Sequence, residues 1–115
     1  MVYRLTKDDA FREDRALSWQ LQAAAVSSMG NIAEAHGRYS FEEKRRFLDI
    51  SLGSCKEIQS HLYVALDQEY VGQAEFDETY RQAEVVAQLV TGGVDNLDRQ
   101  ITRRSSSTAA RGRRP

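Results

Sequence analysis

Apolar residues alternate at steps of four and three through the last third of the chain, which is the pattern of a helix that buries one narrow face. The spacing predicts a helix over residues 73–102, roughly 45 Å long at 1.5 Å per residue. The positions of this seam are Phe76, Tyr80, Ala83, Ala87, Val90, Val94, Leu97 and Ile101. Gly92 and Gly93 lie within the helix, so either it kinks there or another backbone passes close by, and we favour the close approach.

A second helix is predicted to begin at Phe41, because Ser40 and Glu43 have the spacing of a capping box. Its wide apolar stripe lasts to about residue 69. The stripe comprises Phe47, Leu48, Leu52, Cys55, Ile58, Leu62, Ala65 and Leu66. We expect Glu42 and Arg46 to form an ion pair on its exposed face. The short connection at residues 70–72 makes this helix and the last one an antiparallel hairpin.

The first long helix is predicted over residues 14–36, with Gly37 as its stop. One face carries Leu17, Leu21, Ala24, Ser28, Ile32 and Ala35. Before it, Val2, Tyr3 and Leu5 indicate a helical stub. No strand is convincing, so the predicted fold is an all-α, antiparallel up-and-down helical bundle. Three long helices make an incomplete bundle, and we expect a fourth element from more chain or from neighbouring subunits.

The charge of the chain divides between a body and a tail. The net charge of -1 over 115 residues combines 11 basic and 17 acidic residues in positions 1–102 with five arginines and no acid in positions 103–115. We therefore predict one helical domain over 1–102 and a disordered tail over 103–115, which lacks apolar residues to bury. The tail arginines are candidate nucleic-acid contacts: Arg103, Arg104, Arg111, Arg113 and Arg114.

Several classes of protein are excluded by what the chain lacks. It contains no signal-peptide core and no run of 18 apolar residues, so we expect a cytoplasmic protein without a membrane partner. A single cysteine, Cys55, cannot form an internal disulfide, and its stripe position favours a core role over a nucleophilic one. Glu57 and His61 could share a helix face, but no second matched pair completes a metal site. We predict no catalytic residues, cofactor or metal.

Four polar residues lie on or near the faces predicted to point inward, where a lone polar group is costly. They are Asn31, Glu34, Ser54 and Glu57. We favour a polar clamp that fixes the register of the first two long helices. The alternative is that these residues line a functional pocket or the axis of a ring.

Short motifs give the chain a family resemblance. One group of motifs comprises Gln20-Leu21, Ala24-Ala25-Val26-Ser27 and Asn31-Ile32-Ala33-Glu34. The next helix carries Phe47-Leu48, Ile50, Gly53-Ser54, Glu57 and Leu62, and the last helix carries Gly92. With these residues the chain resembles the four-helix-bundle proteins encoded in intervening sequences of bacterial 23S rRNA genes, whose relatives include the accessory variability protein of diversity-generating retroelements. The resemblance covers residues 2–102.

The chain departs from that family at several positions. Residues 3–6 match the end of the family's first helix, so we expect about the first 20 residues of that helix to be missing, either because the start is assigned too late or because the protein is truncated. Met29 stands where the family usually has proline, and Ala35 stands where it has glycine. An arginine pair often found in the family is Gln22-Ala23 here. The loss of two cations weakens the family's implication of nucleic-acid binding.

The resemblance implies a homo-oligomer, with a ring of five copies, that acts as a non-enzymatic scaffold for nucleic acid or for a nucleic-acid enzyme. DNA, RNA and a reverse-transcriptase-like protein are the partners that it suggests. A second apolar strip on the last helix, Val85, Val86 and Leu89, favours oligomerisation independently. The tail arginines have no interleaved aromatic residues, so we expect sequence-independent, salt-sensitive binding. The alternative function is a protein–protein adaptor without nucleic-acid binding, which the acidic body favours.

Overall fold

Four helices lie within the residues that the computed structural model describes, which are 2–7, 11 and 13–112, with the side chains of the last helix as far as residue 107. Helix α1 spans Val2–Leu5, α2 spans Arg15–Gly37, α3 spans Phe41–Asp67 and α4 spans Gln73–Gly112. These described residues include no strand. The predicted all-α fold is confirmed, and so is the helical stub before the first long helix.

Each long helix runs antiparallel to the next one. Residue numbers rise along one helix while they fall along its neighbour. The cross-helix hydrogen-bonded pairs that show this are Ser27 with Ser54 and Ala35 with Lys44 between α2 and α3, and Gln59 with Glu84 and Arg45 with Asp98 between α3 and α4. The capping box also forms in part, because the Glu43 amide donates to Ser40 Oγ at 3.1 Å.

The seam of α4 faces the core as its spacing predicts. Phe76, Ala83, Ala87, Val90, Val94 and Leu97 are buried, and Tyr80 and Ile101 are half-buried. The two glycines differ from each other. A Cβ at Gly93 would lie 3.1 Å from Cδ1 of Leu48, whereas a Cβ at Gly92 would meet nothing within 4 Å. The predicted approach of another backbone is therefore wrong, since the close neighbour at Gly93 is a side chain and Gly92 has none.

Replacing Gly92 with alanine is expected to stabilise the protein by about 0.5–1 kcal/mol, because alanine restricts the unfolded backbone and its methyl group meets open space. Gly93→Ala is the matched control at the next position. Gly93→Ala should gain less stability than Gly92→Ala, because the added methyl group displaces the end of the Leu48 side chain. Urea denaturation measures both free energies of unfolding. A larger gain at Gly93 than at Gly92 would contradict this account.

Helix α3 ends two residues before the predicted residue 69, because the chain leaves the helix in a tight turn. Glu69 has a positive φ of 61°, and the Tyr70 amide donates to the Ala65 carbonyl at 2.9 Å. This is the hydrogen bond that closes a helix end when one residue takes the left-handed conformation. The turn directs Val71 into the core, where its side chain is buried, and α4 starts at Gln73 as predicted.

Helix α4 continues to Gly112, ten residues past the predicted end at residue 102. Residues 103–112 are thus helical, whereas the sequence predicts disorder for them. The physical reason is that extending an existing helix needs no new nucleus, and no proline interrupts the chain before Pro115. Arg104 also reaches Glu42 of α3 and ties the extension to the bundle. The division into a domain over 1–102 and a tail over 103–115 remains a prediction.

The helices form an open layer rather than a closed bundle. Helix α3 packs against both α2 and α4, whereas α2 and α4 barely contact each other. The single turn of α1 lies against α2, where Gln22 Nε2 donates to Thr6 Oγ1 at 2.7 Å. Phe11 is fully buried and its ring centroid lies 5.4 Å from that of Tyr70. These contacts close the core at the end of the molecule that holds the α3–α4 connection.

Candidate assembly and nucleic-acid surfaces

Two of the four predicted clamp residues meet between α2 and α3. Asn31 Nδ2 donates to the Ser27 carbonyl at 2.7 Å and to Ser27 Oγ at 3.1 Å. Ser54 Oγ donates to the same Ser27 hydroxyl at 2.8 Å. Asn31 is half-buried and Ser54 is buried, so the pair forms a polar link across the two helices through Ser27.

The other two clamp residues do not take part in this link. Glu34 is exposed and pairs at 3.0 Å with Arg38, one turn further along the chain. Glu57 is also exposed. The expectation that both lie on inward faces is wrong, since neither carboxylate meets the desolvation that an inward position would impose. Whether the four residues share a function remains a prediction.

A second polar cluster lies deeper between α2 and α3. Ser51 Oγ donates to the Ser28 carbonyl at 2.8 Å, and Ser28 Oγ lies 3.5 Å from Ser51 Oγ and 3.2 Å from Cys55 Sγ. All three side chains are buried. Ser28 and Cys55 stand on faces that the sequence predicts to be inward, whereas Ser51 was missed. Its spacing of three and four residues from Leu48 and Cys55 is the signal that would have placed it there.

An apolar groove separates α2 from α4. We call it the open groove, and it is lined by Val2, Tyr3, Ala25, Val26, Ser28, Met29, Cys55, Ile58, Thr79, Gln82, Ala83 and Val86. A smaller depression lies further along the same side of α3, between Ile32 of α2 and Leu97 of α4. Helix α3 forms the floor and α1 fills one end. In a bundle of four long helices, a fourth long helix would pack in the open groove, between α2 and α4.

Exposed apolar side chains lie on both helices that flank the open groove, and we call them its apolar borders; of these, Val26 and Met29 line the groove itself. On α2, Trp19, Val26 and Met29 are 69%, 57% and 62% exposed. On α4, Val85 and Leu89 are 50% and 73% exposed, while Val86 turns into the groove. The predicted second strip of α4 therefore lies at the surface. Monomeric proteins rarely leave so much apolar surface in one region, so this face is a candidate interface.

Ion pairs join α3 to α4 along their exposed edge. Arg45 Nε donates to Asp98 Oδ1 at 2.5 Å, and this hydrogen bond raises the pKa of Arg45. Glu42 pairs with Arg104, which corrects the predicted pair with Arg46. The guanidinium of Arg104 donates to Glu42 and holds the pKa of that carboxyl below its usual value of 4.5.

Glu84 forms a further link in this series. Gln59 Nε2 donates to Glu84 Oε2 at 2.7 Å, and Lys56 Nζ lies 3.8 Å from the same oxygen. The hydrogen bond from Gln59, followed by the charge of Lys56, lowers the pKa of Glu84 below 4.5. Both depressed carboxyls, Glu42 and Glu84, thus contribute to the pairing of α3 with α4 when ionised.

Acidification below about pH 4.5 is expected to weaken that pairing. A carboxyl with a depressed pKa in the folded state stabilises fully above its unfolded pKa, and this contribution is lost as the pH falls through the folded value. The temperature midpoint of unfolding should therefore decrease as the pH is lowered from about 6 to about 3. In Glu84→Gln this decrease should be smaller, because the variant has no carboxyl at position 84 to protonate. Glu57→Gln is the control on an exposed α3 glutamate. If Glu84→Gln and Glu57→Gln reduce the pH dependence of the unfolding midpoint equally, Glu84 is not the source of the effect.

Three of the five candidate nucleic-acid contacts lie in the last part of α4. Arg103 is exposed, and Arg104 contacts Glu42 and lies with its guanidinium carbon 5.9 Å from the centroid of the Phe41 ring. Arg111 lies in the last turn of α4, and its side chain is outside the described part of the structure. Arg113 and Arg114 lie outside the described residues. Only the first two of these predictions can therefore be placed.

The described residues bring together no group of three histidine, cysteine or carboxylate side chains that could hold a metal ion. None of the described helices is both long enough and apolar enough to cross a membrane. Cys55 is a free, buried thiol. The features that remain as candidate functional sites are the open groove with its apolar borders and the arginine-bearing end of α4.

Comparison with known proteins agrees with the helical pattern. The family model described as "23S rRNA-intervening sequence protein" matches residues 1–92, and this family is not a known enzyme family. A comparison with curated proteins finds no match. The matched region includes α1, α2, α3 and the first half of α4, with both polar clusters and the open groove. Because the match covers most of the chain, the protein belongs to the 23S rRNA-intervening sequence protein family.

Proposed function

We propose that this protein is a non-enzymatic scaffold that assembles with copies of itself and binds nucleic acid or a nucleic-acid enzyme. The observation that carries the proposal is the open groove between α2 and α4, together with the exposed apolar side chains that these two helices carry. The resemblance to the family implies a ring of five copies. DNA, RNA and a reverse-transcriptase-like protein are the partners proposed for the assembled scaffold.

Assembly would bury the apolar borders of the open groove. Trp19, Met29 and Leu89 are each more than 60% exposed in the single chain. Burial of apolar surface contributes roughly 25 cal/mol for each Å² that is removed from water. Neighbouring copies would also stabilise a molecule whose α2 and α4 each pack on one long neighbour. The borders are therefore a source of association free energy that the isolated chain does not use.

The nucleic-acid part of the proposal depends on charge. Five arginines follow residue 102, and no acidic residue accompanies them. In an oligomer these arginines would be present in several copies close together, which multiplies phosphate contacts through high effective concentration. The acidic body opposes this attraction. An adaptor that binds proteins and no nucleic acid is the second candidate function, and the acidic body is the observation that favours it.

Assembly is tested by multi-angle light scattering together with the fluorescence of Trp19, the only tryptophan in the chain. We expect a mass above that of the monomer at micromolar concentration, and a blue shift of emission as concentration rises. Leu89→Lys should lower the mass. Ile50→Lys, which changes an exposed side chain of α3, is the matched control. A monomeric wild-type chain at all concentrations would overturn the scaffold proposal.

Nucleic-acid binding is tested with the full-length chain and with a variant that carries glutamine in place of the five arginines at 103, 104, 111, 113 and 114. The variant should bind duplex DNA or structured RNA more weakly. Its logarithmic salt dependence should flatten by up to about 0.9 for each phosphate that these arginines neutralise in the wild-type complex. If the full-length chain binds no nucleic acid at about 50 mM salt, the nucleic-acid proposal is wrong and the adaptor function takes its place.

A further inference from the structure

One end of the molecule combines exposed arginines with aromatic rings. We call it the arginine–tyrosine end and define it by Arg38, Tyr39, Arg46, Arg99 and Arg103. Tyr39 lies in the connection between α2 and α3 and is 98% exposed. Such exposure leaves both faces of the ring in water, so the folded chain gives this aromatic side chain almost no packing role.

Two arginines of this end are held by a neighbouring aromatic ring. The guanidinium carbon of Arg38 lies 4.7 Å from the centroid of Phe47, and that of Arg46 lies 5.1 Å from it. Arg38 also pairs with Glu34 at 3.0 Å. Stacking restricts the guanidinium planes before any ligand arrives, so less side-chain entropy is lost when they bind a phosphate.

The last turns of α4 bring further arginines to the same end. Phe41, two residues after Tyr39, lines a shallow depression together with Arg99, Arg103 and Arg104. Arg99 and Arg103 are exposed. The fold thus places Phe41, the first residue of α3, beside arginines that are some 60 positions away in the sequence. Sequence order alone gives the tail arginines no aromatic neighbour.

Carboxylates at the arginine–tyrosine end are in part neutralised by cations. Three of them form ion pairs there, Glu34 with Arg38, Glu42 with Arg104 and Asp98 with Arg45. The opposite end, where the α3–α4 connection meets the start of α2, carries a run of acids on the connection together with the basic residues Arg15 and Arg81. These acids are Asp67, Glu69, Glu75, Asp77 and Glu78. A polyanion is therefore repelled from that end and directed to the arginine–tyrosine end.

We infer that the arginine–tyrosine end binds single-stranded nucleic acid, with an unpaired base stacked on the ring of Tyr39 and the neighbouring phosphates against the arginines. This inference rests on the proposed nucleic-acid function and assigns it a surface and a class of ligand. Bases in a duplex are stacked on each other and cannot offer a free face, whereas an unpaired base can stack on an exposed aromatic ring. The arginines of this end supply the phosphate contacts.

Fluorescence anisotropy with labelled oligo-uridine RNA, oligo-thymidine DNA and a duplex of equal length tests the inference on the full-length chain. Tyr39→Ala should weaken binding of both single strands by about 5-fold to 150-fold, the range for loss of one stacked base. Tyr39→Phe should keep wild-type affinity. Binding of the duplex should change less than twofold in both variants.

The salt dependence separates stacking from charge. Arg103→Gln should reduce the logarithmic salt slope on single strands by about 0.7, the value for one phosphate that is no longer neutralised, whereas Tyr39→Ala should leave that slope unchanged. If wild type binds single strands and Tyr39→Ala binds them equally well, the inference is wrong while the proposed nucleic-acid function stands. If wild type binds none of the probes, the proposed nucleic-acid function itself fails.

Discussion

Leu62→Ala is expected to lower the free energy of unfolding by about 2–5 kcal/mol, the range for emptying a buried leucine site. Leu62 of α3 is fully buried in the cluster that includes Leu21, Phe11 and Val71. This cluster is the part of the core that α1 closes. The side chains around Leu62 come from several elements, so they cannot all shift to fill the cavity that the substitution would leave.

Ile50→Ala is the control for Leu62→Ala. Ile50 lies on the same helix and is 44% exposed, so its truncation should change the free energy of unfolding by no more than about 0.5 kcal/mol. Urea denaturation followed by the helical circular dichroism signal measures both variants, at one protein concentration because association would shift the transition. Similar losses in the two variants would show that the core is not centred where the structure places it.

Ser51→Val is expected to lower the free energy of unfolding by about 1–3 kcal/mol, because it adds volume at a fully buried contact between α2 and α3. The Ser51 hydroxyl is 2.8 Å from the Ser28 carbonyl and 3.5 Å from the Ser28 hydroxyl. A branched side chain cannot occupy that space unless the two helices move apart. The substitution therefore tests whether the small serines set the helix spacing.

Two further variants separate volume from other effects. Ser60→Val makes the same change at an exposed position of α3, so it reports the cost of valine in a helix alone. Ser51→Ala removes the hydroxyl without adding bulk and should lose only about 0.5–1.5 kcal/mol. The same denaturation experiment measures all three. If Ser51→Val and Ser60→Val lose equal stability, the close contact of α2 with α3 does not depend on Ser51.

The parts of the fold that follow from local sequence were predictable. Helix starts at Phe41 and Gln73 depend on residues close in the chain, and the seam of α4 depends on a repeat that only a helix can satisfy. The C-terminal end of α4 could not be predicted from the polar composition of residues 103–112, which favours disorder. A polar segment can remain helical when it continues a helix that is already formed.

Contacts between distant residues were the part that local pattern could not provide. Glu42 has Arg46 one turn away, yet its partner is Arg104 from the other end of the chain. Phe11 is fully buried although it stands in a charged stretch with no apolar periodicity. Small serines carry no sign of which side they face, so Ser51 could be placed only through its spacing from the apolar stripe.

The candidate surfaces were predictable to different degrees. The strip of Val85, Val86 and Leu89 was visible in the sequence because it lies beside a regular seam. The arginine–tyrosine end was not visible, since it joins the α2–α3 connection to the last turns of α4. Tyr39 alone in a sequence is an unremarkable loop residue. Its 98% exposure, and the position of Phe41 two residues later beside arginines of α4, are properties of the folded chain.

The central place of α3 has a consequence for how the chain folds. Among the described residues, the extensive helix contacts join α2 to α3 and α3 to α4, which are neighbours in the sequence. Each hairpin closes a short loop, so little chain entropy is lost before its contacts form, and such low contact order is typical of fast folding. Either hairpin can form first, and α3 belongs to both. The second hairpin then completes on a helix that is already present.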